Sequence, residues 1–124
     1  MKTFKDYLAI YLAALPAAWL RYQAFLYFTS SSGFPWATLL VNLLGTAVLL
    51  FWVKSYLTSK KVGQRLLLAL GVGFCGGLTT FSGFLLDILK LAEQGAYPNL
   101  FLYTFLTMGG GLGLVGLARK REKL

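Results

Sequence analysis

GVGFCGGLTTFSGF, residues 71–84, packs five glycines, three hydroxyl side chains and three phenylalanines into fourteen positions of an otherwise apolar run. Gly76 and Gly77 each cost about 1 kcal/mol against alanine in a helix interior. Thr79 and Thr80 can turn their hydroxyls onto carbonyls of the preceding turn. A helix through this stretch is therefore expected to break between Gly76 and Thr80. In hydrocarbon an opened turn survives only where protein or a watery cavity satisfies its amides and carbonyls, so the freed groups become candidate ion ligands.

The surroundings of the stretch fix its medium. Of 124 residues, 57% are hydrophobic and only 13% charged, and the mean hydropathy is +0.67, too apolar for a water-soluble domain. Charges are absent from Ala24 to Val53, from Leu66 to Leu86 and from Gln94 to Ala118, and Tyr7 to Leu20 is apolar up to a lone Arg21. A spanning helix needs about 20 apolar residues, so the pattern predicts an all-α integral membrane protein of four transmembrane helices at about 6–28, 35–57, 65–90 and 96–118. The third is the broken one, and residues 1–124 form a single domain. The first apolar run is too long for a removable signal peptide and lacks a small-residue cleavage site.

The formal net charge is +8, and its placement argues against nucleic acid. Lys2, Lys5, Lys54, Lys60, Lys61, Arg65, Arg119, Lys120, Arg121 and Lys123 lie at the two ends and in the loop between the second and third spans. With four spans these places share one side of the membrane, leaving Lys90 and Arg21 toward the other. The positive-inside rule then puts both termini in the cytoplasm, in the plasma membrane of a cell. The tail RKREK reads as a topology and headgroup anchor.

There is no histidine, one cysteine (Cys75), and only Asp6, Asp87, Glu93 and Glu122 are acidic. That excludes zinc, a histidine dyad or a two-carboxylate hydrolase, and the chain is read as no enzyme. Cys75 is expected as a small core residue.

In the first span Pro16 removes a helix hydrogen bond. Arg21 either snorkels to the interface or faces a watery vestibule where it attracts anions. The connector TSSSGFP is short and makes the first two spans antiparallel neighbours. In the second span Thr38, Asn42 and Thr46 recur every four residues beside Gly45 and share an inward face. Asn42 is there either for helix association or to donate to a passing anion. Trp36 and Trp52 suit the two interfacial belts. Asp87 and Lys90, spaced i, i+3, are expected to pair. In the fourth span Gly109 to Gly113 matches GxxxG and predicts close helix packing, within the chain or between chains. Phe81 and Phe84 share a face just after the break. They are either apolar packing or, through their electropositive ring edges, weak ligands for a small anion.

GFCGGLTTFSGF closely resembles the GxCGGxTTFSTF signature of the CrcB/Fluc fluoride channels. Arg21–Tyr22 at the end of the first span, Asn42 to Gly45 as NxxG in the second, and Asp87 after the signature also match that family, over essentially the whole chain. The resemblance implies an antiparallel dimer with two narrow fluoride pores. Phe81 and Phe84 would line each pore, Asn42 would donate along it, Ser82 and Thr80 would add polar lining, and Arg21 would sit in a vestibule. It also implies one structural sodium ion held by the backbone carbonyls of Gly76 and Thr79. The chain differs from the family pattern at Ala13, Ala14, Pro16 and Ala17, where small glycine motifs are usual. It differs again at Gly83 in place of threonine, and at Gly111 where a fourth-span hydroxyl is expected.

The expected function is passive, selective export of fluoride. A proton-coupled multidrug transporter of four spans would need a membrane-embedded carboxylate, and none precedes Asp87. A non-conducting structural subunit is the other alternative. An antiparallel homodimer requires one sequence to insert both ways, whereas ten basic residues stand on one side against two. The expected partner is therefore an oppositely oriented homologous subunit, with the homodimer as competitor.

Overall fold

A computed structural model describes residues 3–28 and 33–122, and within them all regular structure is helical. Lys2, Lys123 and most of the first connector fall outside the described residues.

Helix α1 runs Phe4–Tyr27 and begins at Thr3, whose backbone N–H donates to Asp6 Oδ2 at 3.0 Å. Pro16 lies inside α1 without ending it. Helix α2 is Trp36–Ala47 and continues as a wider, π-wound segment Val48–Leu57. Helix α3, residues 64–78, is α-helical over Gln64–Leu68, π-wound over Ala69–Cys75 and α-helical again at Gly76–Leu78. Helix α4 is Phe81–Glu93 and α5 is Tyr97–Glu122. The turn between them closes at Gly95, whose positive φ of 71° suits glycine.

The element boundaries follow the expected spans within a few residues. Among the described residues three stretches, Trp36–Lys54, Gln64–Glu93 and Tyr97–Arg121, are long and apolar enough to cross a membrane. Helix α1 is as long, at 24 residues, but its tyrosines, Arg21 and Gln23 dilute the apolar run.

Packing is organised by small residues. Helix α1 lies along α3 and touches α2. A Cβ on Gly73 would run into Ile10 O, and one on Gly77 would stand 3.0 Å from Ala14 O. Ala17 is fully buried in the same seam, with Val41 and Leu78 beside it. The close-packed GxxxG pair is therefore Gly73 and Gly77. Gly109 and Gly113 meet no other helix; in α5 only Gly110 is closely opposed, by Leu43 Cδ2 at 2.9 Å. Helix α5 packs on α2 and α4. Its contact with α4 builds the core of Phe34, Leu39, Phe84, Leu91 and Tyr103. Val53, Leu57 and Cys75 form a second core where the two π-wound segments meet, so Cys75 is a core residue as expected.

The break is narrower than the sequence predicts. Gly76 and Gly77 stay helical, and only Thr79 (φ −83°, ψ 158°) and Thr80 (φ −150°, ψ 116°) are extended. Gly77 serves close approach to α1. The opening falls where other groups offer the backbone hydrogen bonds.

Candidate functional site

Those groups come from α2, thirty-eight residues away in sequence. Asn42 Nδ2 donates to Thr80 O at 3.1 Å, and Thr80 N donates to Asn42 Oδ1 at 2.6 Å. The side-chain amide thus pairs with one residue's backbone as a neighbouring strand would. Thr46 Oγ1 donates to Asn42 O at 2.7 Å on the same face. Gly45 makes room, since a Cβ there would collide with Thr79 Cγ2. The α2 face of Asn42, Gly45 and Thr46 does look inward, as its spacing requires. The amide bonds across to a neighbouring segment, as the association reading has it, and the partner is the broken backbone.

Beyond the break Thr80 caps α4: its Oγ1 accepts from Gly83 N at 3.0 Å. Thr79 Oγ1 donates back to Cys75 O at 3.0 Å, as does Thr79 N at 3.1 Å. Two of the carbonyls that this arrangement deprives of their helical donors are those of Gly76 and Thr79. Gly76 O loses Thr80 N–H to Asn42, and Thr79 O loses Gly83 N–H to the cap. They are the carbonyls of the two residues that the family resemblance assigns to sodium, and carbonyl oxygens suit a hard cation. Thr79 O instead accepts from Arg21 Nη1 at 3.3 Å. Arg21, partly buried, turns inward to the break.

A cleft of about 220 Å³ lies beside the break, lined by Asn42, Thr46, Thr79, Thr80, Phe81, Phe84, Thr107 and Met108. Phe81 and Phe84 both reach it, with ring centroids 6.1 Å apart, but their surroundings differ. Phe84 is 4% exposed and packs on Tyr103 at 5.3 Å, whereas Phe81 is 69% exposed at the open rim. Ser82 is exposed and lines none of the cleft, its Oγ standing 3.4 Å from Thr80 Oγ1. Arg21 lies outside the cleft.

Thr107 is the lining residue that the sequence reading missed. Its Oγ1 is buried with no partner among the described residues, whereas Thr104 Oγ1 in the same helix bonds back to Leu100 O at 2.8 Å. A buried hydroxyl held without a partner is costly, and Thr107 belongs to the cleft wall. The fourth-helix hydroxyl thus stands one turn before Gly111. Its signal was present, since Thr107 is one of the two threonines of α5.

Asp87 and Lys90 do not pair. Asp87 Oδ2 accepts from Tyr103 OH at 3.0 Å, because Tyr103 on α5 is buried beside it and a phenol there needs an acceptor. Among the described residues the ion pair is Arg65 with Asp6, at 2.9 Å, which ties the start of α3 to the start of α1.

The family model for CrcB-like protein, Camphor Resistance (CrcB), matches residues 8–119. The chain is 50% identical over 115 residues to Fluoride-specific ion channel FluC 2 of Streptococcus pneumoniae, covering 92% of this chain and 93% of that one. It is 38% identical over 107 residues to Fluoride-specific ion channel FluC 1 of Desulfitobacterium hafniense, covering 86% and 93%. It is also 38% identical over 112 residues to Fluoride-specific ion channel FluC of Bordetella petrii, covering 90% and 87%. With apolar helices long enough to cross a bilayer, this is a multi-pass membrane protein, and it belongs to the CrcB-like family.

Proposed function

We propose that the protein is a fluoride-selective channel, not an enzyme, and that it lets fluoride leave the cytoplasm passively. The observation that carries this reading is the cleft beside the break. It joins an amide, the threonine hydroxyls of Thr80 and Thr107, and two phenyl rings in one narrow space, with Thr46 in the wall donating to Asn42 O. That lining suits a small anion: donors replace part of its hydration shell, and ring edges add weak positive potential. Its relatives bear the name of a fluoride channel. An interior-negative potential pushes an anion outward by about 2.3 kcal/mol per charge per 100 mV, so no fuel site is required.

The assembly belongs to the same proposal. The chain crosses the plasma membrane four times, with α1 as the first crossing, as one domain with both termini in the cytoplasm. The cleft is open along one side with Phe81 at its rim, and an antiparallel neighbour would close it into a path. Asn42, Thr80, Phe81 and Phe84 line that path, Ser82 stands near it, and Arg21 supplies positive charge toward the outer vestibule. Gly76 and Thr79 carbonyls, freed from helical bonding, would hold a structural sodium ion where two subunits meet. The charge asymmetry supports a homologous partner of opposite orientation.

Purified protein in liposomes tests the channel reading. Fluoride efflux well above that of empty vesicles, with chloride retained, is the expected result. Efflux at the empty-vesicle rate, both alone and with an oppositely oriented homologue added, would overturn it.

A further inference from the structure

Arg21 meets the broken turn at one of the atoms that the sodium reading needs. Thr79 O lacks a helical donor because Gly83 N–H goes to Thr80 Oγ1 at 3.0 Å, and Arg21 Nη1 donates to it at 3.3 Å. Arg21 has no carboxylate partner among the described residues, so this carbonyl is the polar group the structure gives its charge. A carbonyl has two lone pairs, but two unit positive charges on one oxygen repel strongly where the dielectric is low. The guanidinium and a cation therefore do not share Thr79 O on equal terms.

Resting on the sodium reading above, we propose that Arg21 and the central cation compete for the Thr79 carbonyl. Without sodium the guanidinium is docked on the break. Sodium binding releases it toward the outer vestibule, where its charge is free to attract anions. The central ion thereby sets the positive charge of the outer vestibule, as well as holding the subunits together. By linkage the effect is reciprocal: whatever removes the docked guanidinium must tighten sodium binding.

Thermal unfolding of the detergent-purified protein, titrated with sodium against choline at fixed ionic strength, measures this without reference to conduction. Arg21→Gln should lower the sodium concentration for half-maximal stabilisation by about three- to tenfold, the size of one modest hydrogen bond. An unchanged midpoint overturns the competition and leaves the sodium site standing. No stabilisation by sodium in either protein overturns both. Phenylglyoxal modification of the unaltered protein, located by peptide mass, gives an independent reading if Arg21→Gln does not fold. Sodium should accelerate modification at Arg21 and leave Arg65, Arg119 and Arg121 unchanged. Equal rates at Arg21 with sodium and choline would defeat the proposal.

Discussion

At the scale of single residues, Asn42 carries more of the site than its type suggests. Its amide both accepts from Thr80 N and donates to Thr80 O, so it holds the break open and fixes the lining together. The geometry gives it a part in both stability and conduction. Asn42→Asp keeps an acceptor for Thr80 N and loses the donor, and it adds a negative charge beside an anion path. Fluoride flux should fall to background and unfolding should come earlier by about 1–2 kcal/mol, the size of a membrane-embedded hydrogen bond. Full flux in the aspartate variant would remove Asn42 from the path. Phe81 and Phe84 should separate in the same pair of measurements. Phe81→Ile, at an exposed rim, should reduce flux with unfolding unchanged. Phe84→Ile, within the Tyr103 core, should also cost about 1 kcal/mol or more of stability. Thr107→Val should slow flux while leaving stability equal or higher, because the hydroxyl it removes is buried without a partner. Flux equal to that of the unaltered protein would return Thr107 to packing.

At the scale of elements, the glycines sort by what lies opposite them. Gly73 and Gly77 of α3 face α1 backbone: Gly77→Ala sets a methyl 3.0 Å from Ala14 O, and the helices must part. The expected cost is about 1–3 kcal/mol, with loss of flux following the shift of the break. Gly113→Ala meets nothing within the chain and should leave an isolated subunit unaffected or slightly more helical. Cross-linking yield is the measurement that tells the two apart. A fall in dimer yield for Gly113→Ala would place that face between subunits. This is also where sequence legibility stopped at the level of elements. The helices and their ends were readable because an apolar run bounded by charge has one solution in a bilayer. The glycine pair that packs was not readable, because GxxxG occurs in both α3 and α5, and only the neighbour decides which is used.

At the scale of the whole molecule, charge placement dominates. Lys54, Lys60, Lys61, Arg65, Arg119, Lys120 and Arg121 lie at or beyond helix ends that share one side of the bundle. The rule that short basic loops stay in the cytoplasm then predicts a single orientation. A reporter cysteine near the C-terminus, on a Cys75→Ala background in intact cells, should be protected from an impermeant thiol reagent in nearly all molecules. Labelling of about half of them would establish dual insertion and favour the homodimer.

What the sequence determined by itself is the medium, the helical class, the helices and their ends, and the stretch that breaks. Those are properties of composition and order along one dimension, and a bilayer enforces them with a penalty of several kcal/mol for each unsatisfied backbone group. The tertiary structure decided where the break falls, what Arg21 touches and which threonine of α5 lines the cleft. Thr79 and Thr80 open, and Gly76 does not, because Asn42 offers its amide at that point from thirty-eight residues away. Arg21 turns inward because the same opening leaves Thr79 O without a donor, fifty-eight residues away in the chain. Asp87 forsakes Lys90, a neighbour on its own helix, for Tyr103 on the next one. In each case a polar group chose the partner that burial made most costly to leave unsatisfied, and that partner lay on another helix.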